Sequence, residues 1–369
     1  MLSQEKYQKT PLYDEHITLK ARMVGFGGWE MPVQYEGILK EHARTRHGVS
    51  IFDISHMGEF IIEGDCVESG LERIVTMSLR DLPVRSCRYG CILNERGGVI
   101  DDLIVFRMEE RKWFIVVNGA TTKKDAKHFQ KHLKKEAVFR DVSLQTGKID
   151  IQGPLSLNVL SSFVADVEKL NYYTCDYFDL LGERVLIGRT GYTGELGYEI
   201  YFPWDKIKDL WRQLIEHDSV EPAGLGARDI LRIEMGYSLY GHELGEDISP
   251  LESGLNRFIS FEKDFIGKSA LLKQKEEGLK KKIAGISSKS RRAPRCGQKI
   301  YLESGGEIGV ITSGTFSPSL KTGIGLGFVA VQHAHQGTVV LFGDSKGKST
   351  ATISSRAFYK SGSLHSEKS

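Results

Sequence analysis

The sequence is poor in cysteine, has no long apolar run and carries no excess of charge of either sign. Its 5 cysteines, Cys66, Cys87, Cys91, Cys175 and Cys296, are odd in number and scattered through 369 residues, which argues against a disulfide framework and reads as reduced, structural thiols. Cys87 and Cys91 have three residues between them, but no second pair or nearby histidine completes four metal ligands. The longest apolar stretches, such as 102–107 and 113–117, stop far short of the about 18 residues a membrane helix needs, so no membrane association is expected. Lysine plus arginine total 50 against 48 acidic residues, a net charge of +2, which supplies no broad basic field for nucleic acid. The first residues, MLSQEKYQKTPLYDEH, include acids and lack both a signal-peptide core and an Arg-rich transit pattern, and the expected location is cytoplasmic.

What is present is enough apolar material, 40% of residues, for two or three cored domains at about 100–200 residues each. Glycine, with 40 residues against 9 prolines, supplies the turns between short elements. GILKEHARTRH reads as a helix stopped by Gly48, and VSIFDISHMGEFIIE after it as strand. Residues 88–118 read as an antiparallel meander with turns at 94–98 and 109–112. Helices are expected at 121–135, 154–165, in DKIKDLWRQLIEH and in ARDILRIEMGYSL, the last too apolar to be bathed in solvent. The charged stretch EEGLKKK, 276–282, marks a domain boundary, followed by short Gly-punctuated strands of a small all-β domain, and the tail 361–369 is expected to be disordered.

Several tempting motifs fail on chemistry. GFGGWE, 25–30, has Glu30 where a dinucleotide loop requires glycine. GLGARD, 224–229, is either a tight turn or a pair of glycines offering N–H groups to an anion at a helix start. His128 and His132 are spaced like a metal pair but sit among lysines without the acid of an HExxH motif, and read as a solvated face. No Ser, Cys or His arrangement indicates covalent catalysis. NERGGVIDDLIVF is more informative: strand alternation puts Asp101 on the face of Leu103 and Val105 and Asp102 on that of Ile104 and Phe106, so at least one carboxylate enters apolar surroundings. Such an acid is either paired or kept for hydrogen bonding and proton handling. In GYTGELGYEI, Glu199 taken alone reads as a solvent-face strand residue, although its two oxygens could receive two parallel N–H bonds from an amidine-like heterocycle edge such as that of a pterin.

Nine blocks in order, TPLYDEH, GFGGWEMPVQY, FDISHMGEF, GGVIDDLIV, GRTGYTGELGYEI, GLGARDILRIEMGYSLYG, ISPLESGL, DFIGKSAL and TSGTFSPSL, resemble the aminomethyltransferase, or T-protein, family of the glycine cleavage system over nearly the whole chain. The resemblance implies an α+β, three-domain cloverleaf fold: a folate-binding region over 1–275 made of two intertwined mixed α/antiparallel-β domains, then a C-terminal β-barrel over 276–360. It implies transfer of the methylene of an aminomethyl group from the dihydrolipoyl arm of H-protein to tetrahydrofolate, with release of ammonia and formation of 5,10-methylenetetrahydrofolate. Tetrahydrofolate is then a co-substrate, no metal is needed, and lipoylated H-protein is the partner.

By the same resemblance Asp101 lies by the folate N10 as the catalytic carboxylate, Glu199 holds the pterin edge and Arg228 belongs to the folate site. Met57, Tyr89 and Tyr192 line the pocket, with Tyr359 as a further member. Arg228 or the basic RRAPR segment, 291–295, suits the carboxylates of the folate tail. Two other readings exist: a folate-dependent demethylase module, whose relatives are often fused to a flavin domain, and a non-enzymatic folate-binding scaffold, whose relatives carry a Lys-Gly-Cys-Tyr block where this chain reads FIGKSAL.

Overall fold

The computed structural model of the protein describes residues 7–345 and 347–365. A six-stranded sheet runs in the order Cys175–Leu180, Glu183–Gly188, Gly197–Pro203, Thr146–Gln152, Val49–Asp53, Val220–Pro222, antiparallel but for the last pair. A five-stranded antiparallel sheet runs Ser86–Leu93, Val99–Glu109, Lys112–Val117, Gly58–Glu63, Val138–Asp141. Its first three strands are the expected meander. A three-stranded sheet of Gln8–Lys9, Trp29–Gln34 and Arg22–Phe26 stands near the N-terminus, and six strands from Lys281–Ser288 to Gly347–Ser354 close into a barrel. The α+β class with a C-terminal barrel is borne out.

Local sequence accounts for most of these elements. Helix Ile207–Ile215 buries Ile207, Leu210, Trp211 and Leu214, the 3, 4 and 7 spacing of one helical face, against the six-stranded sheet. Helix Leu225–Met235 is buried as expected, and the burial extends to its charged residues Arg232 and Glu234. The six- and five-stranded sheets each have an apolar core, around Ile149, Tyr198 and Trp211 in the first and Phe60, Val105 and Trp113 in the second, and the barrel is filled by Ile286, Ile300, Phe342 and neighbours.

Three expectations need correction. The run 49–63 is two strands in two sheets: Asp53 accepts the Ser55 N–H at 2.9 Å, and the turn it makes carries the chain from the six-stranded to the five-stranded sheet. The helix expected over 154–165 is only Ser156–Ser161, because the N–H groups of Ser162 and Phe163 fall back to carbonyls three residues earlier and Asp166 takes φ +66°. The tail is not disordered throughout: Ser363–His365 form a single 3-10 turn, Leu364 is buried and the Ser363 N–H donates to Glu195 at 2.8 Å, while 366–369 lie outside the described residues. A lone leucine among polar residues could not advertise this contact, because its anchor is a carboxylate 168 residues away.

Candidate active site

The meander builds one half of the site. Leu103 pairs with Val117 across the antiparallel ladder, so the next residue, Asn118, falls opposite the two aspartates. Its backbone N–H donates to Asp101 Oδ2 and its Nδ2 to Asp101 Oδ1, both at 2.9 Å, and Nδ2 also reaches Asp102 Oδ1 at 2.9 Å. On the other side the Tyr89 hydroxyl donates to Asp102 Oδ2 at 2.9 Å. Asp101 is wholly buried. Burial raises the Asp101 carboxyl, with the Asn118 bonds pulling the other way, and burial followed by the charge of Asp101 pushes Asp102 up to about 7.

Glycine at 119 is required for this arrangement. A Cβ there would sit 2.2 Å from the His56 carbonyl oxygen, so the Asn118–Gly119 turn can pass under that carbonyl only without a side chain. Gly119→Ala is expected to cost about 1–3 kcal/mol and to displace Asn118, which a chemical denaturation curve and a drop in turnover would report together. An unchanged denaturation midpoint would show that the turn yields without strain.

The other half comes from the six-stranded sheet. Asp150 pairs directly with Glu199, and Lys148 with Tyr201, so four polar side chains share one face. Three donors converge on Glu199 Oε2: the Thr190 hydroxyl at 2.9 Å, the Tyr201 hydroxyl at 3.0 Å and Lys148 Nζ at 3.3 Å. Burial works to raise Glu199, but Lys148 and the two hydroxyls outweigh it and hold the carboxyl below its ordinary range. Glu199 is therefore a buried anion, which overturns the solvent-face reading of its strand position. Asp150 is pushed up to about 7, by burial and then by the charge of Glu199. Arg228 sits 3.7 Å from Asp150 Oδ2, with its guanidinium 4.7 Å from the centre of the Tyr192 ring.

The sequence-derived residues thus fall into two neighbouring groups. Asp101 and Tyr89 meet around Asp102 and Asn118. Met57, whose sulfur is 3.6 Å from Lys148 Nζ, joins Glu199, Arg228 and Tyr192. Tyr192 links the two, since its phenol feels both Asp102 and Arg228, and its hydroxyl donates to the Ser238 carbonyl. Tyr359 stands apart from the carboxylates: its ring lies 4.1 Å from the Arg46 guanidinium on the wall of a cavity of about 570 Å³ that Tyr172, Tyr237, Arg257 and Phe258 also line. A second cavity, of about 600 Å³, shares Arg257 and Phe258 and reaches Tyr89.

Other motifs resolve into structure. The Gly224 N–H is taken by the chain's own Glu41 Oε2 at 2.9 Å, and a Cβ at 224 would meet the backbone of Val33 at 2.4 Å, so Gly224 serves close packing and its N–H is not open to a ligand. In the RRAPR segment Arg291 lies over the Phe316 ring of the barrel, and Arg292 and Arg295 are exposed. The His128 and His132 rings lie 4.7 Å apart, and among the described residues no group of three or more His, Cys, Asp or Glu could hold a metal ion. Cys66, Cys87, Cys91 and Cys175 are buried and unpaired, as structural thiols. Sequence reasoning missed Asn118, Lys148, Asp150 and Asp125. In KIDIQ the charged residues alternate with isoleucines, which reads as a solvent face, and Asn118 is one polar residue after a strand.

Comparison with known proteins adds independent findings. Residues 12–263 match the GCVT N-terminal domain family, and residues 281–360 the glycine cleavage T-protein C-terminal barrel domain. Aminomethyltransferase of Pseudothermotoga lettingae is 42% identical over 327 residues, covering 88% of this chain and 90% of its own. Aminomethyltransferase of Caldanaerobacter subterraneus is 39% identical over 368 residues, 97% of either chain. The crystal structure of glycine cleavage system aminomethyltransferase T from Bartonella henselae superposes with a TM-score of 0.89 at 31% identity, covering 96% of this chain and 98% of that one.

Proposed function

The chain belongs to the aminomethyltransferase, or T-protein, family of the glycine cleavage system, and on that premise we propose that it moves the methylene of an aminomethyl group from the dihydrolipoyl arm of H-protein to tetrahydrofolate, with Asp101 as the catalytic carboxylate. Tetrahydrofolate is a co-substrate in this reaction. Its N5 and N10 each lose a proton; one goes to the departing ammonia and one to the lipoyl sulfur, and the methylene ends bridging N5 and N10. Positive charge develops on that methylene as the C–N and C–S bonds break, and a fixed carboxylate is the group that stabilises it.

The observation that carries the reading is the pair of Asn118 hydrogen bonds on a wholly buried Asp101, beside an Asp102 raised to about 7. A carboxylate held on both oxygens is preorganised, and a neighbour that titrates near neutrality can take up and return a proton. Glu199 supports the placement of the pterin: its three protein donors all reach Oε2, so in this reading Oε1 is the oxygen offered to the N–H-bearing edge of the heterocycle. Arg228, Met57, Tyr89 and Tyr192 complete this part of the site, with Arg228 offering guanidinium donors to ligand oxygens, and Tyr359 lines the separate cavity beside Arg46.

Ammonia release from aminomethyl-loaded H-protein, with and without tetrahydrofolate, tests the proposal. Folate-dependent release is expected. A folded chain that binds folate but releases no ammonia would overturn it.

A further inference from the structure

Asp125 is a buried acid that the reaction scheme leaves without a task. It occupies the first turn of helix Thr122–His132, is 0% exposed, and its carboxyl lies against that of Asp101 and the hydroxyl of Thr121. No N–H or O–H donor of the described residues hydrogen-bonds to either of its oxygens. The Thr121 hydroxyl is turned to the Asn118 carbonyl at 2.9 Å. Lys124, a cation whose charge acts on Asp125, is drawn outward to Glu246 at 2.8 Å and to the Tyr240 hydroxyl at 2.7 Å. Asn118, the donor of the cluster, gives its N–H groups to Asp101 and Asp102 and none to Asp125.

Three carboxyls in one buried space cannot all be ionised, since like charges at close range in a low dielectric disfavour each other. The donors decide where the negative charge sits. Asp101 has two, Asp102 has Asn118 and Tyr89, and Asp125 has none, so a proton on Asp125 removes its uncompensated buried charge and gives one of its oxygens a partner: its O–H finds an acceptor in Asp101.

We propose that Asp125 is a positioning residue for the catalytic carboxylate: it holds a proton and donates it in a hydrogen bond to Asp101, which thereby stays ionised and fixed. This rests on the role given to Asp101 above. Consistent with it, burial and then the charge of Asp101 push the Asp125 carboxyl up to about 9, with Lys124 opposing only in part. The group is therefore protonated throughout the neutral range. Above about pH 9 the proton leaves, Asp101 loses a donor and gains a like charge, and turnover falls.

The test uses the full-length protein and two variants. In wild type labelled with 13C at aspartate carboxyls, one resonance is expected to titrate with a midpoint near 9, and to vanish in Asp125→Asn. The side-chain amide that this substitution introduces still donates to Asp101, so the variant is expected to keep wild-type kcat at pH 7.5 and to lose the fall above pH 9. Asp125→Ala offers no donor: kcat is expected to drop about tenfold, with KM for tetrahydrofolate unchanged and the acid limb of the profile moved to higher pH. The absence of any aspartate carboxyl titrating above pH 8 would overturn the proposal, as would an Asp125→Asn profile identical to wild type. Should the resonance appear in a protein that releases no ammonia, the shared proton stands and the aminomethyl transfer reading is the one that fails.

Discussion

Asp101→Asn is expected to slow folate-dependent ammonia release by about 10²–10⁴-fold, the span that a positioned acid–base group contributes. The argument is geometric before it is electrostatic. Both Asp101 oxygens receive N–H groups of one residue, Asn118, so an amide at 101 must turn its own NH2 against one of those donors. The substitution removes the negative charge proposed to stabilise the developing cation and also loosens the turn at Asn118. In the proposed reading folate binding depends instead on the Glu199 side of the site, and it is expected to hold. Single-turnover ammonia release at saturating tetrahydrofolate, paired with a folate titration of the same variant, checks both halves. A variant that turns over within about threefold of wild type would remove Asp101 from the chemistry.

The second large effect is on stability. Arg46 is buried where segments distant in sequence meet, and its guanidinium donates to Glu195 Oε1 and the Thr193 carbonyl at 2.7 Å and to Glu234 Oε2 at 2.6 and 3.0 Å. Glu234 is also bonded by His42 at 3.0 Å and by Ser317 of the barrel, and Glu195 holds Ser363 of the tail. Arg46→Met keeps the apolar stem but leaves two buried carboxylates without their cation, at a cost of about 3–5 kcal/mol. The expected signs are a lower denaturation midpoint and faster tryptic cleavage after Lys360, because the tail is anchored through Glu195 and Tyr359 packs on Arg46. A variant as stable as wild type would mean that the junction tolerates its own unpaired charge.

The same junction sets an acid limit. Burial works to raise Glu234, but the His42 bond and charge, Arg46 and Ser317 outweigh it and hold the carboxyl down at about 2, below its ordinary value of 4.5. A carboxylate depressed on folding stabilises the fold at pH above its unfolded value, and that stabilisation drains away as pH falls from about 4.5 toward 2. The difference corresponds to about 3 kcal/mol. Wild type is therefore expected to lose stability steeply in that window and Glu234→Gln to lose less across it, as urea midpoints at pH 5 and pH 3 would show.

Much of the local architecture is legible in the residues. Alternation and turn chemistry place the meander at 88–118, and the 3, 4 and 7 spacing places the helix at 207–215. The failures are of two kinds. The run 49–63 looks continuous because alternation recurs over parts of its length, whereas a side chain, Asp53, turns the chain between sheets. Glu199, Lys148 and Asp150 look solvated because alternation tells which residues share a face, not what covers that face.

By itself the sequence determined many of the elements and their turns and, through nine ordered blocks, the family. Those depend on interactions within a few residues, or on patterns that survive without coordinates. The tertiary structure alone decided which charges are buried and what they meet: Asn118 on Asp101, Lys148 on Glu199, Asp125 against Asp101, and Arg46 between two glutamates. The physical reason is that the state of an ionisable group depends on its solvent exposure and on charges and donors within a few ångströms, and those neighbours come from strands and helices tens to hundreds of residues away.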